Sequence, residues 1–269
     1  MDNPLISVIV ITYNSQSTII ETLESISTQT YNNIEIVVSD DCSTDNTVEV
    51  VNNWISESNI KLPIKIIKSD YNTGIAANCN RGIRAAGGKF VKIIAGDDYL
   101  SDCAVEVYYR EQIKADRKTI LQSRVVFFNK DVEITDEFES AVVRNQKCLS
   151  FPRKKQYKEL LKANFIFAPA VGLLDKTIFE EVGYFDERFP MFEDLPFYVN
   201  LSKRGFVFRL MPEKLVYYRV SYGVSAQGGS KAYKKSTRKY FIKVRIKYQL
   251  ACGMFFTAAK GVIKCLLRK

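Results

Sequence analysis

The chain has 269 residues, 46% apolar, 26% charged and 12% aromatic, which is core material for one large domain or two small ones. This composition excludes a disordered chain, a collagen-like fibre and a small disulfide scaffold. The absence of histidine excludes Ser-His-Asp triads, histidine-ligated zinc and histidine general bases. The net charge of +9 is unevenly placed: residues 231–269 hold 12 Lys or Arg and no acid, leaving 39 − 12 = 27 bases against 30 acids, or −3, in residues 1–230.

Residues 5–11 (LISVIVI) are a continuous β-branched run that predicts a strand buried on both faces. After the TYNS break, Ile19, Leu23 and Ile26 share a helical stripe. Residues 34–38 predict a second strand ending in the polar cluster SDDCSTD, and Val48, Val51 and Ile55 mark a second helix with Ser43 or Thr44 as its N-cap. Residues 64–67 predict a third strand. The loop with Asn72 and Gly74 leads into a small-residue helix through Arg84, and residues 90–95 predict a fourth strand stopped by Gly96, Asp97 and Asp98. This alternation argues for parallel βαβ units with active groups at the carboxyl ends of the strands, placing Tyr13, Asp40, Asn72 and Asp97 on one rim.

Beyond residue 100 the rhythm is less regular. Residues 105–113, 157–163, 177–182 and 195–203 predict helices, 120–128 and 165–174 extended runs, and 206–210 and 215–219 strands. Residues 131–145 read as an acid-rich loop and 223–229 (GVSAQGG) as a linker into the basic tail. No apolar run reaches membrane-spanning length, and no basic region precedes the first apolar stretch, so neither a spanning helix nor a secretory signal is expected. Six scattered cysteines without C-x-x-C spacing read as reduced cytosolic thiols.

Three acidic pairs carry the chemistry. Asp97-Asp98 follows a buried strand, where adjacent carboxylates call for a cation such as Mg²⁺ or Mn²⁺ bridging a diphosphate; the plainer reading is a turn residue and a helix cap. Asp40-Asp41 is either part of an N-cap cluster or, through Asp40, an acceptor for the imide N–H of a uracil-like base covered by Tyr13. Glu193-Asp194 sits among Phe189, Met191, Phe192 and Phe197, an environment that suits a general base with a raised pKa; the alternative is an acid pair favoured by a helix dipole. A dinucleotide G-x-G-x-x-G is absent after the first strand, and residues 82–89 (GIRAAGGK) fail as a P-loop because the glycine gap is one residue too long and Phe90 replaces Ser or Thr.

Together SVIVITYN (7–14), IEIVVSDDCSTDNT (34–47), NTGIAANCNRG (72–82), AAGGKFVKIIAGDD (85–98), GYFDERF (183–189) and FEDLPF (192–197) resemble the family 2 glycosyltransferases, inverting enzymes of the GT-A fold. The resemblance implies an α/β fold, Rossmann-like, with a mostly parallel central sheet flanked by helices. It implies a GT-A domain over residues 1–225, with a nucleotide-binding half (1–100) and an acceptor-binding half (101–225), followed by a basic amphipathic tail (226–269). By resemblance, Thr12, Tyr13, Asn14, Asp40, Asp41, Asn72, Gly74, Asn78, Arg81 and Asp97 bind the nucleotide-sugar, Asp97 and Asp98 bind a divalent Mg²⁺ or Mn²⁺, and Asp194 is the catalytic base supported by Glu193. Two departures bear on the metal. Ala95 replaces the first acid of the usual D-x-D-D stretch, and Val220-Ser221 follows Tyr218-Arg219 where relatives carry a histidine. These departures motivate the alternative of a non-catalytic sugar-nucleotide or glycan-binding pseudoenzyme.

The expected activity is single-sugar transfer from a nucleotide-sugar, UDP-linked by family habit, to a glycan or lipid-linked saccharide of a bacterial surface polysaccharide. The tail interleaves cations with large apolar residues. It suits either a helix lying on an anionic membrane surface, making the protein cytoplasmic and peripheral on the inner face, or a helix packing its apolar side on the catalytic domain. A nucleic-acid partner is not expected, since the excess charge is confined to the tail and the body has no exposed-aromatic RNA motif.

Overall fold

A computed structural model describes residues 3–128, 146–220 and 231–267. The acid-rich loop at 131–145, the linker at 223–229 and the 225/226 boundary expected from the sequence lie outside the described residues. The first hundred residues contain three βα steps and a fourth parallel strand. Strand β1 (Ile6–Thr12) leads to helix α1 (Ile19–Ser27), β2 (Ile34–Asp40) to α2 (Thr47–Glu57), β3 (Ile64–Lys68) to α3 (Ile75–Ala85), and β4 (Phe90–Ala95) ends at the acidic turn. After β5 (Tyr99–Leu100), α4 (Ala104–Gln112) and β6 (Thr119–Phe128), the second half contains α5 (Arg153–Leu160), β7 (Leu174–Asp175), α6 (Thr177–Val182), α7 (Asp194–Lys203) and β8 (Val207–Arg219). The tail forms α8 (Lys231–Tyr240), a π-helical turn over Phe241–Arg245, α9 (Ile246–Ala251) and α10 (Phe255–Leu267).

The central sheet has the order β3-β2-β1-β4-β7; its first four strands are parallel and only β7 runs against them. Alternating side chains serve two cores, because a strand covered on both faces has no solvent side. Val8, Val10, Ile36, Val38 and Ile94 meet Ile19, Leu23 and Ile26 of α1 and Trp54 of α2. Ile9, Val37 and Val91 meet α3, α6 and α7 through Ile83, Phe179 and Phe197. Each large apolar side chain buried this way contributes roughly 1.5–3 kcal/mol, which is why the β-branched runs predict the strands so well. A second sheet, β5-β8-β6, lies at the mouth of the first.

Four details depart from the sequence reading. The helix expected over 157–163 starts earlier, at Arg153, because Pro152 in an extended conformation precedes it and its missing N–H costs nothing there. The run 165–174 is mostly not a strand: Ala168–Ala170 winds as a 3₁₀ turn around Pro169, which has no N–H to give a ladder. The two strands at 206–210 and 215–219 are one, β8, whose pairing with β6 shifts register around Pro212. Helix α2 is not capped by Ser43 or Thr44; Asp45 accepts the Thr47 N–H at 3.0 Å, while the Ser43 hydroxyl accepts the Asn14 N–H at 2.8 Å.

The tail is not a free appendage. Tyr240 is buried against the rings of Phe189 and Phe192, and Val244, Tyr248, Cys252 and Met254 pack on the same core. Arg245 and Gln249 both donate to the Leu161 carbonyl, at 2.6 and 2.5 Å.

Candidate active site

The parallel register puts the ends of β1, β2 and β4 side by side: Thr12 pairs with Asp40, and Ile11 with Ala95. At the end of β4 the chain turns tightly, with Gly96 pressed against Thr12 so that a Cβ there would come within 2.9 Å of it. This turn delivers Asp97 and Asp98 to a cavity of about 390 Å³. Across the cavity stand Glu193 and Asp194, with Tyr198, Pro169, Phe185 and Tyr233 among the other walls. Four acids from segments nearly a hundred residues apart therefore share one space.

Asp98 is 1% exposed; its Oδ1 accepts the Arg219 backbone N–H at 2.9 Å, its own carbonyl accepts the Thr22 hydroxyl at 2.7 Å, and its buried Oδ2 has no hydrogen-bond partner. Burial, and after it Asp97, push the Asp98 carboxyl up to about 8. Burial lifts Asp97 as well, against the pull of the Arg219 guanidinium, whose Nε donates to the Asp97 carbonyl at 3.0 Å. An orphaned buried carboxylate oxygen beside a second acid is costly until a cation satisfies it. The pair fits a divalent metal as two oxygen donors. Among the described residues no third His, Cys, Asp or Glu joins them, so a bound ion would complete its shell with diphosphate and water.

Glu193 caps α7 and Asp194 is its first residue, where the helix dipole favours an anion. Asp194 Oδ1 accepts the Leu195 N–H at 2.6 Å and Oδ2 accepts the Asn164 side-chain N–H at 2.8 Å. Burial and then Asp194 push Glu193 up to about 8; burial raises Asp194 too, while its two donors pull it down. Hydrogen bonds to a charged group are worth roughly 1.5–3 kcal/mol, so within the pair Asp194, with two, carries the negative charge more readily and Glu193 keeps its proton longer. Pro196 in the first turn of α7 leaves no intrahelical bond unmade.

The residues expected around the nucleotide behave differently; none of Thr12, Tyr13, Asn14, Asp40, Asp41, Asn72, Gly74, Asn78 and Arg81 lines this cavity. Asp40 is fully enclosed. It accepts hydrogen bonds from the Ser43 N–H at 2.9 Å, the Thr12 hydroxyl at 3.0 Å and the Ser43 hydroxyl, so the acceptor expected for a base edge is not presented at the surface. Asp41 is likewise spent inside the fold: it accepts from the Thr73 and Gly74 N–H groups and the Thr73 hydroxyl, and pairs with Arg81 at 2.9 Å. Asn78 donates to the Thr12 carbonyl at 3.2 Å and accepts from Ser39 at 2.7 Å and Arg81 at 3.0 Å. Gly74 takes φ +88° directly against Pro190, tying this loop to the segment that carries Glu193. Only Tyr13, Asn14 and Asn72 stand exposed on the rim, with Asn14 at φ +55° and its side chain accepting the Thr44 N–H at 2.8 Å.

Four contributors escaped the sequence reading. Lys92, fully buried, donates to the carbonyls of Pro169 at 2.7 Å and Val171 at 2.8 Å, fixing the wall opposite β4; burial pulls its ammonium down to about 7 against the attraction of Asp98. A lone lysine inside a buried strand, FVKIIA, was the available signal. Asn164 and Arg219 act through long-range contacts that no local pattern marks. Tyr233 brings the tail into the cavity wall, its ring 5.7 Å from that of Phe192.

Residues 7–183 match the model of the Glycosyl transferase family 2. A relative from Escherichia coli, UDP-Glc:alpha-D-GlcNAc-diphosphoundecaprenol beta-1,3-glucosyltransferase WfaP, is 29% identical over 265 residues, covering 97% of this chain and 95% of the relative. S. aureus TarS 1–349 in complex with UDP-GlcNAc superposes with TM-score 0.64 at 21% identity, over 90% of this chain and 66% of that one. Mannosyltransferase PcManGT from Pyrobaculum calidifontis in complex with GDP-Man and Mn2+ superposes with TM-score 0.67 at 20% identity, over 100% and 77%. With a family match over more than half its length, a full-length relative and the strand order described above, this chain belongs to glycosyl transferase family 2 and is a glycosyltransferase of the GT-A fold.

Proposed function

We propose that the protein is an inverting transferase that moves one sugar from a UDP-linked donor to a lipid-linked or glycan acceptor in the assembly of a bacterial surface polysaccharide. The observation that carries this reading is the shared cavity with acids on two sides, Asp97 and Asp98 on one and Glu193 and Asp194 on the other. The ionised Asp194 takes the proton of the acceptor hydroxyl, whose oxygen attacks the anomeric carbon as the bond to the diphosphate breaks on the opposite face. Glu193, protonated, adds no second negative charge beside the attacking oxygen. Asp97 and Asp98 would hold a Mg²⁺ or Mn²⁺ ion, which would supply positive charge against the negative charge that develops on the leaving group.

On the nucleotide side, the buried network of Thr12, Asp40, Asp41, Asn78 and Arg81 shapes the rim, and Tyr13 and Asn72 face the base. The WfaP name describes a UDP-Glc donor and a diphosphoundecaprenol-linked acceptor; a similar membrane-borne acceptor here puts the enzyme on the inner face of the membrane, held peripherally by its C-terminal helices. Among the described residues no helix is long and apolar enough to cross a membrane. The non-catalytic alternative rests on Ala95 and on the absence of a histidine after Arg219, while both acidic pairs line the cavity. A panel of sugar nucleotides with Mn²⁺, offered with GlcNAc-diphosphate-lipid and read for nucleotide release and product anomer, tests the reading. Turnover with inversion supports it; nucleotide binding without turnover of any donor contradicts it.

A further inference from the structure

Four of the lysines that the transfer chemistry leaves unused gather on one surface. Lys154, Lys155 and Lys158 on α5, and Lys162 just past its end, are exposed, and with Met254 and Thr257 they line a shallow depression of about 420 Å³. The one acid there, Glu159, pairs with Lys162 at 2.7 Å, and Lys155 lies 3.7 Å from the centre of the Phe151 ring, so no acid lining the depression is left to neutralise Lys154, Lys155 and Lys158. Beside them α10 turns Ala258 inward and leaves Phe255 at 65%, Phe256 at 88% and Ile263 at 56% exposure. At helical spacing Phe255, Phe256, Ala259, Val262 and Ile263 share one side of α10, and Lys260 and Lys264 lie along one edge of it.

Two properties select the partner. The aromatic edge asks for an apolar medium, since each such side chain left in water forgoes roughly 1.5–3 kcal/mol. The cations around it ask for a dense array of anions, because residues 231–269 contain no acid at all. A second copy of the chain would bring like charges face to face, and protein interfaces are depleted in lysine at their cores. An anionic bilayer offers both the apolar medium and the anions.

We propose that α5 and α10 together form a docking surface for an anionic lipid bilayer, with Phe255, Phe256 and Ile263 entering the acyl boundary and Lys154, Lys155, Lys158, Lys260 and Lys264 meeting lipid phosphates. This deepens the peripheral-membrane reading above and rests on it. The surface is joined to the chemistry by a short rigid path: Lys162 lies two residues before Asn164, which holds Asp194, and the Leu161 carbonyl receives Arg245 and Gln249 of the tail. Docking therefore sets the cavity at a fixed height and tilt above the headgroups, where the saccharide of a lipid-linked acceptor sits.

The test is co-sedimentation of the full chain with vesicles of phosphatidylcholine alone and of phosphatidylcholine with phosphatidylglycerol, for the wild type, F255S/F256S and K154E/K155E/K158E. Transfer to a water-soluble acceptor is read in parallel. The wild type pellets only with phosphatidylglycerol; the triple variant loses more than tenfold in partitioning, from ~1 kcal/mol per cation near the surface, and the aromatic variant loses about tenfold or more. Both variants keep wild-type transfer to the soluble acceptor. Wild-type binding by both variants, no pelleting of the wild type with phosphatidylglycerol, or a wild-type dimer in solution that F255S/F256S dissolves would each overturn the proposal. Loss of soluble transfer by the wild type itself would instead strike the transferase reading.

Discussion

Residues 6–100 and residues 146–267 both deliver acids to the cavity, but they do so by different means. In the first part each acid follows a strand whose position is set by its own apolar run, and each of the four parallel strands ends in a polar cluster within a few residues. In the second part Asp194 is held by Asn164 from thirty residues upstream, and the segment that carries it and Glu193 is anchored by Phe192, which packs against Tyr233 and Tyr240 of the tail. Local order builds the rim we propose for the donor; distant contacts build the wall we propose for the acceptor. The comparison also separates roles: Asp40 and Asp41 are consumed by the fold, whereas at the cavity Asp98 keeps a buried oxygen without a hydrogen-bond partner and Glu193 a carboxyl pushed up to about 8. Unsatisfied, perturbed acids are where chemistry is expected, and fully bonded ones are where architecture is.

Breaking the acceptor wall has the largest effect. Asp194→Asn lowers kcat by about 10³-fold, the range a positioned general base supplies, with circular dichroism unchanged; a loss below tenfold would remove Asp194 as base. Next comes the donor rim. Asp41→Ala leaves the Arg81 guanidinium and two backbone N–H groups without their acceptor and costs about 2–4 kcal/mol in urea unfolding. A neutral result would mean that Asp41 is not architectural. Gly74→Ala tests the joint between the two regions: a Cβ at φ +88° would meet Pro190 at 2.6 Å, so about 1–3 kcal/mol of stability is lost and the Glu193 segment shifts. That variant's loss in transfer should exceed its loss in nucleotide binding.

The smallest effect is a pH signature. Glu193 loses its proton near pH 8, so the pH profile of kcat bends there, and Glu193→Gln removes that bend while keeping the acid limb set by Asp194. The sign for stability is opposite to that of an ordinary paired acid. A carboxyl raised from about 4.5 to about 8 by folding leaves the native state holding more protons than the unfolded chain between those values, so Glu193 favours folding less as pH rises from 4.5 through 8.

The sequence was legible where burial and period coincide. β1, β2, β3 and β4 follow from uninterrupted β-branched runs, and α1 follows from Ile19, Leu23 and Ile26, because both patterns report a face removed from water. The three acidic pairs were visible as pairs, and Asp97, Asp98, Glu193 and Asp194 do meet in one cavity. What the sequence could not show was saturation: nothing in SDDCSTD says that Ser43 and Thr12 will enclose Asp40, since that depends on β1 lying beside β2 in register. Pro169 and Pro212 were readable as breaks only in retrospect, because an apolar run around a proline mimics a strand. The tail's dual nature was hidden for a similar reason. Tyr240 and Phe256 look alike in sequence, yet one is buried against Phe189 and the other stands at 88% exposure.

Titration calorimetry of the UDP-sugar with Mn²⁺ present, run on Asp194→Asn and Asp97→Ala side by side, tests the division of labour most directly. The account predicts wild-type donor affinity in Asp194→Asn and clearly weakened affinity in Asp97→Ala. Equal affinities in the two variants, or weakening only in Asp194→Asn, would contradict it.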